Sequence, residues 1–364
     1  MRKHRGSLLI GCISIAAIAA LSSLLLAGQQ GAPEINTLSI PQRQPAALPS
    51  ITTPGGQPET SLEVPSLKLR NQPGFEQVTV TVTDSSGRYV TNLKEDDFRI
   101  FEDGHQRPVG YFRIDRSAPV SIGILVDCSS SMLTKMWQAR TAITSMVNDL
   151  DPRDDIFLEA FSRQAELLMP FTFDHAELID HMKFVHAVQG GTIFDGTSLY
   201  DALYMGLFEI QHGKRDKRAL IVVTDGMDNR SRLPREEVIA TARAMQVLVY
   251  TIGIGGEAVD TDRSFLSTML HPDANEVDMK ILRALADETG ARAFNLHRIG
   301  DGEELSRDCA AISNELRQQY TLAYVSSDPA RLSYRSLRVD VPKHPELSVR
   351  VRKGVAIIPP ETPE

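Results

Sequence analysis

Three runs of consecutive apolar residues constrain this chain more than any other feature: SIGILV at 121–126, ALIVV at 219–223 and VLVYTIGI at 247–254. A strand that is apolar at nearly every position needs cover on both faces, the situation of a central strand in a parallel sheet. Stretches with helical spacing lie around these runs, near Lys135–Leu150, Ala176–Val188, Ser198–Gln211, Pro234–Met245 and Met279–Glu288. IFLEAF and AELLMPF, separated by a short turn, read as an antiparallel hairpin, and ARAFNL as a further strand. Leu305, Cys309, Ile312 and Leu316 recur at helical spacing, so a last helix turns that face to the core. From about Pro119 to Gln318 the alternation predicts an α/β fold, a doubly wound and mostly parallel sheet with helices on both faces. Ligands of such sheets bind beyond the carboxyl ends of the strands.

The segments on either side have a different period. EQVTVTVTD alternates polar and apolar residues, and YVTNL, EDDFRIFEDG and QRPVGYFRI read as short strands after it. QYTLAYVSS, YRSLRVDV and LSVRVRKGVAII have the same character near the C-terminus. About 40 residues of short strands cannot hold a core alone. Both flanks are therefore expected to pair into one small β-sandwich-like domain with the α/β part inserted between them.

The N-terminus addresses the compartment. MRKHRG is followed by an uncharged apolar run from Ser7 to Ala27, the pattern of an export signal that is cleaved or kept as an anchor. Its length is enough to span a bilayer. Cys12 lies inside the run rather than at its end, which is not the position of a lipidation cysteine. The expectation is an exported chain, periplasmic or in the cell envelope, with at most a single N-terminal transmembrane helix. Eight of the 20 prolines fall between Gln29 and Pro73, among Gln, Ser, Thr and Gly, a composition that cannot offset its ordering entropy by burial. The expected organisation is a signal or anchor at 1–28, a Pro-rich disordered linker at 29–74, a β-flank at 75–117, the α/β domain at 118–318, a second β-flank at 319–358 and a tail at 359–364.

Composition removes several functions. The 39 Lys and Arg are outnumbered by 47 Asp and Glu, with no polybasic stretch after the N-terminus, so nucleic-acid binding through counterion release is excluded. Three cysteines build neither a disulfide scaffold nor a four-cysteine zinc site. His175, His181 and His186 are spaced six and then five apart, not at the i,i+4 spacing of a helical zinc site, and read as surface residues. There is no G-x-S-x-G nucleophile elbow and no G-x-x-x-x-G-K-[ST] phosphate loop.

Three loops carry the chemistry, each placed to reach the carboxyl edge of the sheet. Asp127-Cys128-Ser129-Ser130-Ser131 follows SIGILV, GGTIFDGTSLYDAL runs from Gly190 to Leu203 into a helix, and Thr224-Asp225-Gly226 follows ALIVV. Carboxylates and hydroxyls at this density, without a thiolate or imidazole pattern, suit Mg²⁺, or Mn²⁺ or Ca²⁺, rather than zinc or copper. A turn after Asp127 brings Ser129 and Ser131, two residues apart, toward one point. Few protein charges around a metal leave it electrophilic, with a position for a carboxylate from outside. Asp195 and Asp201 read as residues that cap or orient the second loop, and Asp228 and Asn229 as solvent-facing turn residues. Cys128 reads as a free small side chain.

The pattern Asp127-x-Ser129-x-Ser131, a later threonine and Asp225 in a TDG turn resembles the metal-ion-dependent adhesion site of von Willebrand factor type A domains, over about 200 residues. The flanks VTVTDSSGRYVTNLKEDDFRIFEDG and YTLAY…LRVDV…VRKG resemble a bacterial group of exported proteins related to these domains. The resemblance implies Asp127, Ser129 and Ser131 as first-loop ligands, a direct or water-mediated threonine, and Asp225 acting through water. Gly191-Thr192 and Gly196-Thr197 both offer the Gly-Thr pair; GTSLYDAL is closer to the family's loop-to-helix pattern and favours Thr197 over Thr192. Ser130 stands where many members carry Gly.

The function this implies is an adhesion or scaffold module, not an enzyme, that recognises an Asp or Glu carboxylate of a protein partner through a divalent cation. Two alternatives remain at this point. One is a metal-dependent hydrolase using Asp195 or Asp201 as base; the other is an envelope assembly factor whose metal site has degenerated.

Overall fold

A computed structural model describes residues 72, 74–116, 118–187, 196–257, 276–296, 310–326 and 333–357. The centre is a six-stranded sheet built from β5 (Val120–Asp127), β6 (Asp155–Phe161), β7 (Ala165–Thr172), β8 (Lys217–Thr224), β9 (Leu248–Ile254) and β12 (Ala293–Leu296). The strand order is β12-β9-β8-β5-β6-β7, parallel throughout except for the β6–β7 hairpin. This is the α/β architecture expected from the continuous apolar runs. β5, β8 and β9 are buried along almost their whole length because helices cover both faces.

Side chains alternate across β5, and the two faces have separate cores. Ile122, Ile124 and Val126 pack under α1 (Met136–Asn148), α2 (His175–Met182) and a helix over residues 310–316. Leu125 lies on the other side with Leu220 and Val222, under α3 (Leu199–Glu209) and α4 (Arg235–Ala244). The chain thus leaves β5 toward one face and β8 toward the other. Neighbouring parallel strands with diverging exits leave a crevice at their carboxyl ends.

The flanks form two further four-stranded sheets, ordered β15-β1-β13-β4 and β16-β14-β2-β3. In them, β1 (Phe75–Thr83) pairs antiparallel with β13 (Gln319–Val325), and β2 (Arg99–Glu102) pairs antiparallel with β14 (Ser333–Asp340). Each pairing joins the N-terminal flank to the C-terminal one. Val78, Val80 and Val82 of one sheet share a core with Ile100 and Val339 of the other, and Tyr320 and Phe98 stack between them at 4.9 Å.

Two expectations about these flanks need correction. LSVRVRKGVAII is not one strand: it divides into β15 (Ser348–Arg350) and β16 (Gly354–Ile357), which lie in different sheets. YVTNL keeps only one bridge, between Thr83 and Tyr89, and is otherwise not a strand. Its backbone is satisfied by a side chain instead. The Tyr320 hydroxyl accepts the Leu93 N–H at 3.0 Å and donates to the Val90 carbonyl at 2.8 Å. In the last helix Ile312 and Leu316 are buried as expected, whereas Leu305 and Cys309 lie outside the described residues. The same holds for 1–71, the apolar N-terminal run included; no helix among the described residues is long and apolar enough to cross a membrane.

Buried polar groups join the β-sandwich to the central domain. The Lys217 ammonium, at the start of β8, donates to the Leu316 carbonyl at 2.6 Å and lies 3.4 Å from Asp115, the last residue of β4 (Tyr111–Asp115). Asp115 also accepts from Arg113 and Thr321, each at 2.7 Å. The fully buried Glu315 carboxylate accepts from the hydroxyls of Tyr250 (2.9 Å) and Tyr89 (3.1 Å) and pairs with Arg350. Gly290, at φ +84°, ends α5 (Met279–Thr289) in the left-handed region, and a Cβ there would sit 2.5 Å from the Arg352 backbone nitrogen. Helix α5 can thus stop directly against the C-terminal flank.

Glu315→Gln should lower unfolding free energy by about 2–4 kcal/mol, because Arg350 loses its counter-charge while two buried hydroxyls lose a charged acceptor. Urea unfolding of the variant beside the wild type reads this directly. An unchanged midpoint would mean that the Glu315 cluster does not bind the flank to the domain.

Candidate metal centre

β5 ends on Asp127, and the carboxylate turns the chain. Its Oδ1 accepts the Ser129 N–H at 2.8 Å, an Asx turn that reverses the backbone as soon as the strand ends. Oδ2 accepts the Thr224 hydroxyl at 2.6 Å from β8, the neighbouring strand. A short 3₁₀ turn at Ser130–Met132 follows, and the Ser129 and Ser131 hydroxyl oxygens stand 3.0 Å apart. Ser130 is not among the residues with positive φ, so the loop does not need the glycine common at that position.

The third loop is built to the same plan. The Thr224 hydroxyl that donates to Asp127 also accepts the Gly226 N–H at 3.0 Å, and Asp225 Oδ1 accepts the Met227 N–H at 3.3 Å. Gly226 has φ +81°, and a Cβ there would meet the Asp278 carbonyl oxygen at 3.0 Å. The Asp225 carboxylate is buried and receives the Lys135 ammonium on Oδ2 at 3.2 Å. Asp127 and Asp225 thus form a pair of desolvated carboxylates. Burial, and then the charge of Asp225, push the Asp127 carboxyl up to about 7. Burial, with Asp127 adjoining, raises the Cys128 thiol to about 12, so this side chain is a buried thiol and no thiolate ligand.

The second loop is tied to the third by its backbone. The Thr197 N–H donates to Asn229 Oδ1 at 3.0 Å, and the Thr197 carbonyl accepts from the N–H groups of Asn229 and Arg230, both at 3.1 Å. On the opposite side the Ser198 N–H reaches the Ser162 carbonyl at the end of β6, at 2.7 Å. Ser198 does not cap the helix it precedes. The first N–H groups of α3 are taken by side chains of the third loop, Asp228 at 2.9 Å from Leu199 N and Ser231 at 2.9 Å from Tyr200 N. Asp201 returns the favour, accepting the N–H groups of Arg232 and Leu233 at 3.0 Å each. Thr197 is buried between these contacts, while Thr192 and Asp195 lie outside the described residues.

Over residues 121–307 the sequence matches the model of the von Willebrand factor type A domain, slightly more than half of the chain. The chain belongs to the von Willebrand factor type A domain family. Among curated relatives, an uncharacterized protein of Borreliella burgdorferi is 27% identical over 149 residues, 39% of this chain and 42% of that one. The magnesium-chelatase 67 kDa subunit of Chlorobaculum parvum is 30% identical over 201 residues, 50% of this chain and 29% of that one. The chain therefore spans less than half the length of either relative. Among solved structures, a von Willebrand factor type A protein from Catenulispora acidiphila is similar at 15% identity and a TM-score of 0.43, covering 71% of this chain and 75% of that one. Domains of this family are mostly interaction or adhesion modules and bind a divalent metal at the adhesion site.

The donor set suits such an ion. No group of three or more His, Cys, Asp or Glu side chains converges among the described residues, so a cation here would rest on two carboxylates and neutral hydroxyls. These are hard oxygen donors, and two of the hydroxyls already lie within hydrogen-bond distance of each other. The type A fold brings Asp127, Ser129, Ser131 and Asp225 to one edge, with Thr197 on the loop bonded to the Asp225 loop.

Several residues here were not read as functional from the sequence. Asp228 and Asn229 are not merely solvent-facing turn residues: their side chains hold the second loop and the start of α3. Asp201 orients the third loop rather than the second, and its carboxylate is taken up by backbone N–H groups. Lys135 carried no signal, since a lysine just before a helix is ordinarily solvated. Thr224 could have been found from the TDG turn.

The raised Asp127 carboxyl gives a stability test. The native state keeps a proton that the unfolded chain releases at the ordinary Asp value near 3.8, so native stability falls as pH rises through about 7. In chelator, the melting temperature should drop between pH 5 and pH 8 more in the wild type than in Asp127→Asn, which cannot ionise. Parallel pH profiles would show that Asp127 is not the strained group.

Proposed function

We propose that the chain is an exported module that binds a protein partner through a divalent cation held by Asp127, Ser129, Ser131, Thr197 and Asp225. The observation that carries this reading is the meeting of three loops at one crevice. Two buried carboxylates and a pair of serine hydroxyls share that crevice on a type A fold. When bound, the cation supplies a Lewis-acidic position for an Asp or Glu carboxylate of the partner.

The protein's own groups have assignable parts in this. Asp127 supplies charge and, through the Ser129 N–H, sets the direction of the first loop. Thr224 holds the Asp127 carboxylate against β8. Asn229 and Asp228 keep the Thr197 loop in place. Asp201, one candidate base for a metal-dependent hydrolase, has its carboxylate engaged by two backbone N–H groups, which favours binding over hydrolysis.

Mg²⁺ is the cation this reading favours, with Mn²⁺ or Ca²⁺ as substitutes, since all three prefer oxygen. Residues 1–28 would act as export signal or anchor and 29–74 as linker, placing the β-sandwich and the type A domain outside the cytoplasm, in the periplasm or envelope. The β-flanks would bring the two ends of the inserted domain together and orient its crevice. Whether the partner lies on another cell or in a neighbouring envelope complex does not change this chemistry.

Mn²⁺ titration by calorimetry tests the reading. The wild type should bind one ion, and Asp127→Ala or a Ser129→Ala/Ser131→Ala double variant should weaken binding at least about tenfold, in keeping with loss of a charged ligand or two neutral ones. Circular dichroism should show the fold retained. A wild type that binds no Mn²⁺, or an Asp127→Ala protein that binds it equally, would overturn the proposal.

A further inference from the structure

Lys135 is placed where a lysine is disfavoured twice. Its side chain is only 4% exposed, so the ammonium has lost most of its hydration. It also directly precedes α1, the positive end of the helix dipole, where a cation is repelled. The negative charge of the crevice is what offsets both costs, and the 3.2 Å contact to Asp225 Oδ2 is its closest expression. The same Asp225 is one of the two carboxylates that a cation in this site would use.

We propose that Lys135 is a resident counter-ion that keeps the metal site one charge short, so that divalent cation and partner carboxylate bind interdependently. The inference rests on the metal-binding reading given above and concerns how that site is tuned. Asp127 and Asp225 together offer two negative charges, which would balance a divalent cation. With Lys135 present the protein contributes a net single negative charge, and the bound ion leaves an excess of one positive charge in a place largely withdrawn from water. Uncompensated charge in such surroundings is costly. An anionic group from outside restores neutrality, so a partner's Asp or Glu binds more tightly to the loaded site and the ion binds more tightly in the partner's presence. By thermodynamic linkage the two effects are equal. Lys135 acts here through the charge balance and is a positioning residue, not a ligand.

The test compares the wild type with Lys135→Gln, which can still donate a hydrogen bond to Asp225, with Lys135→Met, which cannot, and with Lys135→Arg, which keeps the charge. Mn²⁺ affinity is measured calorimetrically at alkaline pH, in sodium chloride and in sodium acetate of matched ionic strength, with acetate as the carboxylate probe. Melting curves with and without Mn²⁺ provide a second readout. The inference expects Lys135→Gln to bind Mn²⁺ about tenfold or more tightly than the wild type in chloride, as removal of one nearby like charge predicts. Lys135→Arg should stay near the wild type. Acetate should strengthen Mn²⁺ binding in the wild type and Lys135→Arg but not in Lys135→Gln. Should Lys135→Gln not fold, Lys135→Met must show the same gain, and failure of both neutral variants to fold would overturn the inference in favour of a purely structural lysine. Equal or weaker Mn²⁺ binding in a folded neutral variant overturns it while leaving the metal site in place. Absence of Mn²⁺ binding in wild type and neutral variants alike instead removes the metal reading on which it rests.

Discussion

Two carboxylates end neighbouring parallel strands in this protein, and most of the surrounding architecture answers that one constraint. Val126 of β5 pairs with Val223 of β8, so Asp127 and the Thr224–Asp225 pair leave the sheet side by side, on strands roughly 5 Å apart. Charges brought this close and out of water repel, and the local structure compensates by supplying donors. The Ser129 N–H and Thr224 hydroxyl serve Asp127; the Met227 N–H and Lys135 ammonium serve Asp225. A divalent cation would complete that compensation. The raised Asp127 carboxyl is the part of the repulsion that the protein's own donors do not remove.

The polar network at the other end of the sheet has a different task. Lys217, Asp115, Leu316 and Thr321 meet where β4 hands over to β5 and where the last helix returns to β13. Nearby, the Asp155 carboxylate accepts the Ser121 hydroxyl at 2.6 Å and the Lys214 N–H at 2.7 Å. These contacts gather at the amino ends of the central strands, whereas the candidate metal site lies at their carboxyl ends. The clamp on the β-sandwich and the site therefore do not compete for the same groups. A carboxyl edge free of structural clamping can be built from loops, and loops tolerate the dense mutual capping seen between 197–201 and 228–233.

Much of this was legible from residue order. The buried strands announced themselves because an apolar run without alternation has no other economical resting place than a doubly covered sheet. The hairpin of β6 and β7 and the pairing of the flanks followed from length and from period two. The first and third loops were legible because Asp, Ser and Gly directly after such strands must fall at the carboxyl edge. YVTNL was misread because alternation alone does not say whether backbone groups will be met by another strand or by a tyrosine hydroxyl 227 and 230 residues away.

By itself the sequence determined the class of fold, the edge at which chemistry would gather and the kind of atom that would do it, because each depends on periodicity and on residue type over short distances. Only the tertiary structure decided which polar residues support the site and how its charge is balanced. Asp228 and Asn229 became braces for the second loop, Asp201 a brace for the third, and Lys135 a buried cation on Asp225. Those roles arise from contacts between segments some 30 to 90 residues apart. No local pattern encodes them, since an Asp, Asn or Lys in a turn looks the same whether water or another loop receives its side chain.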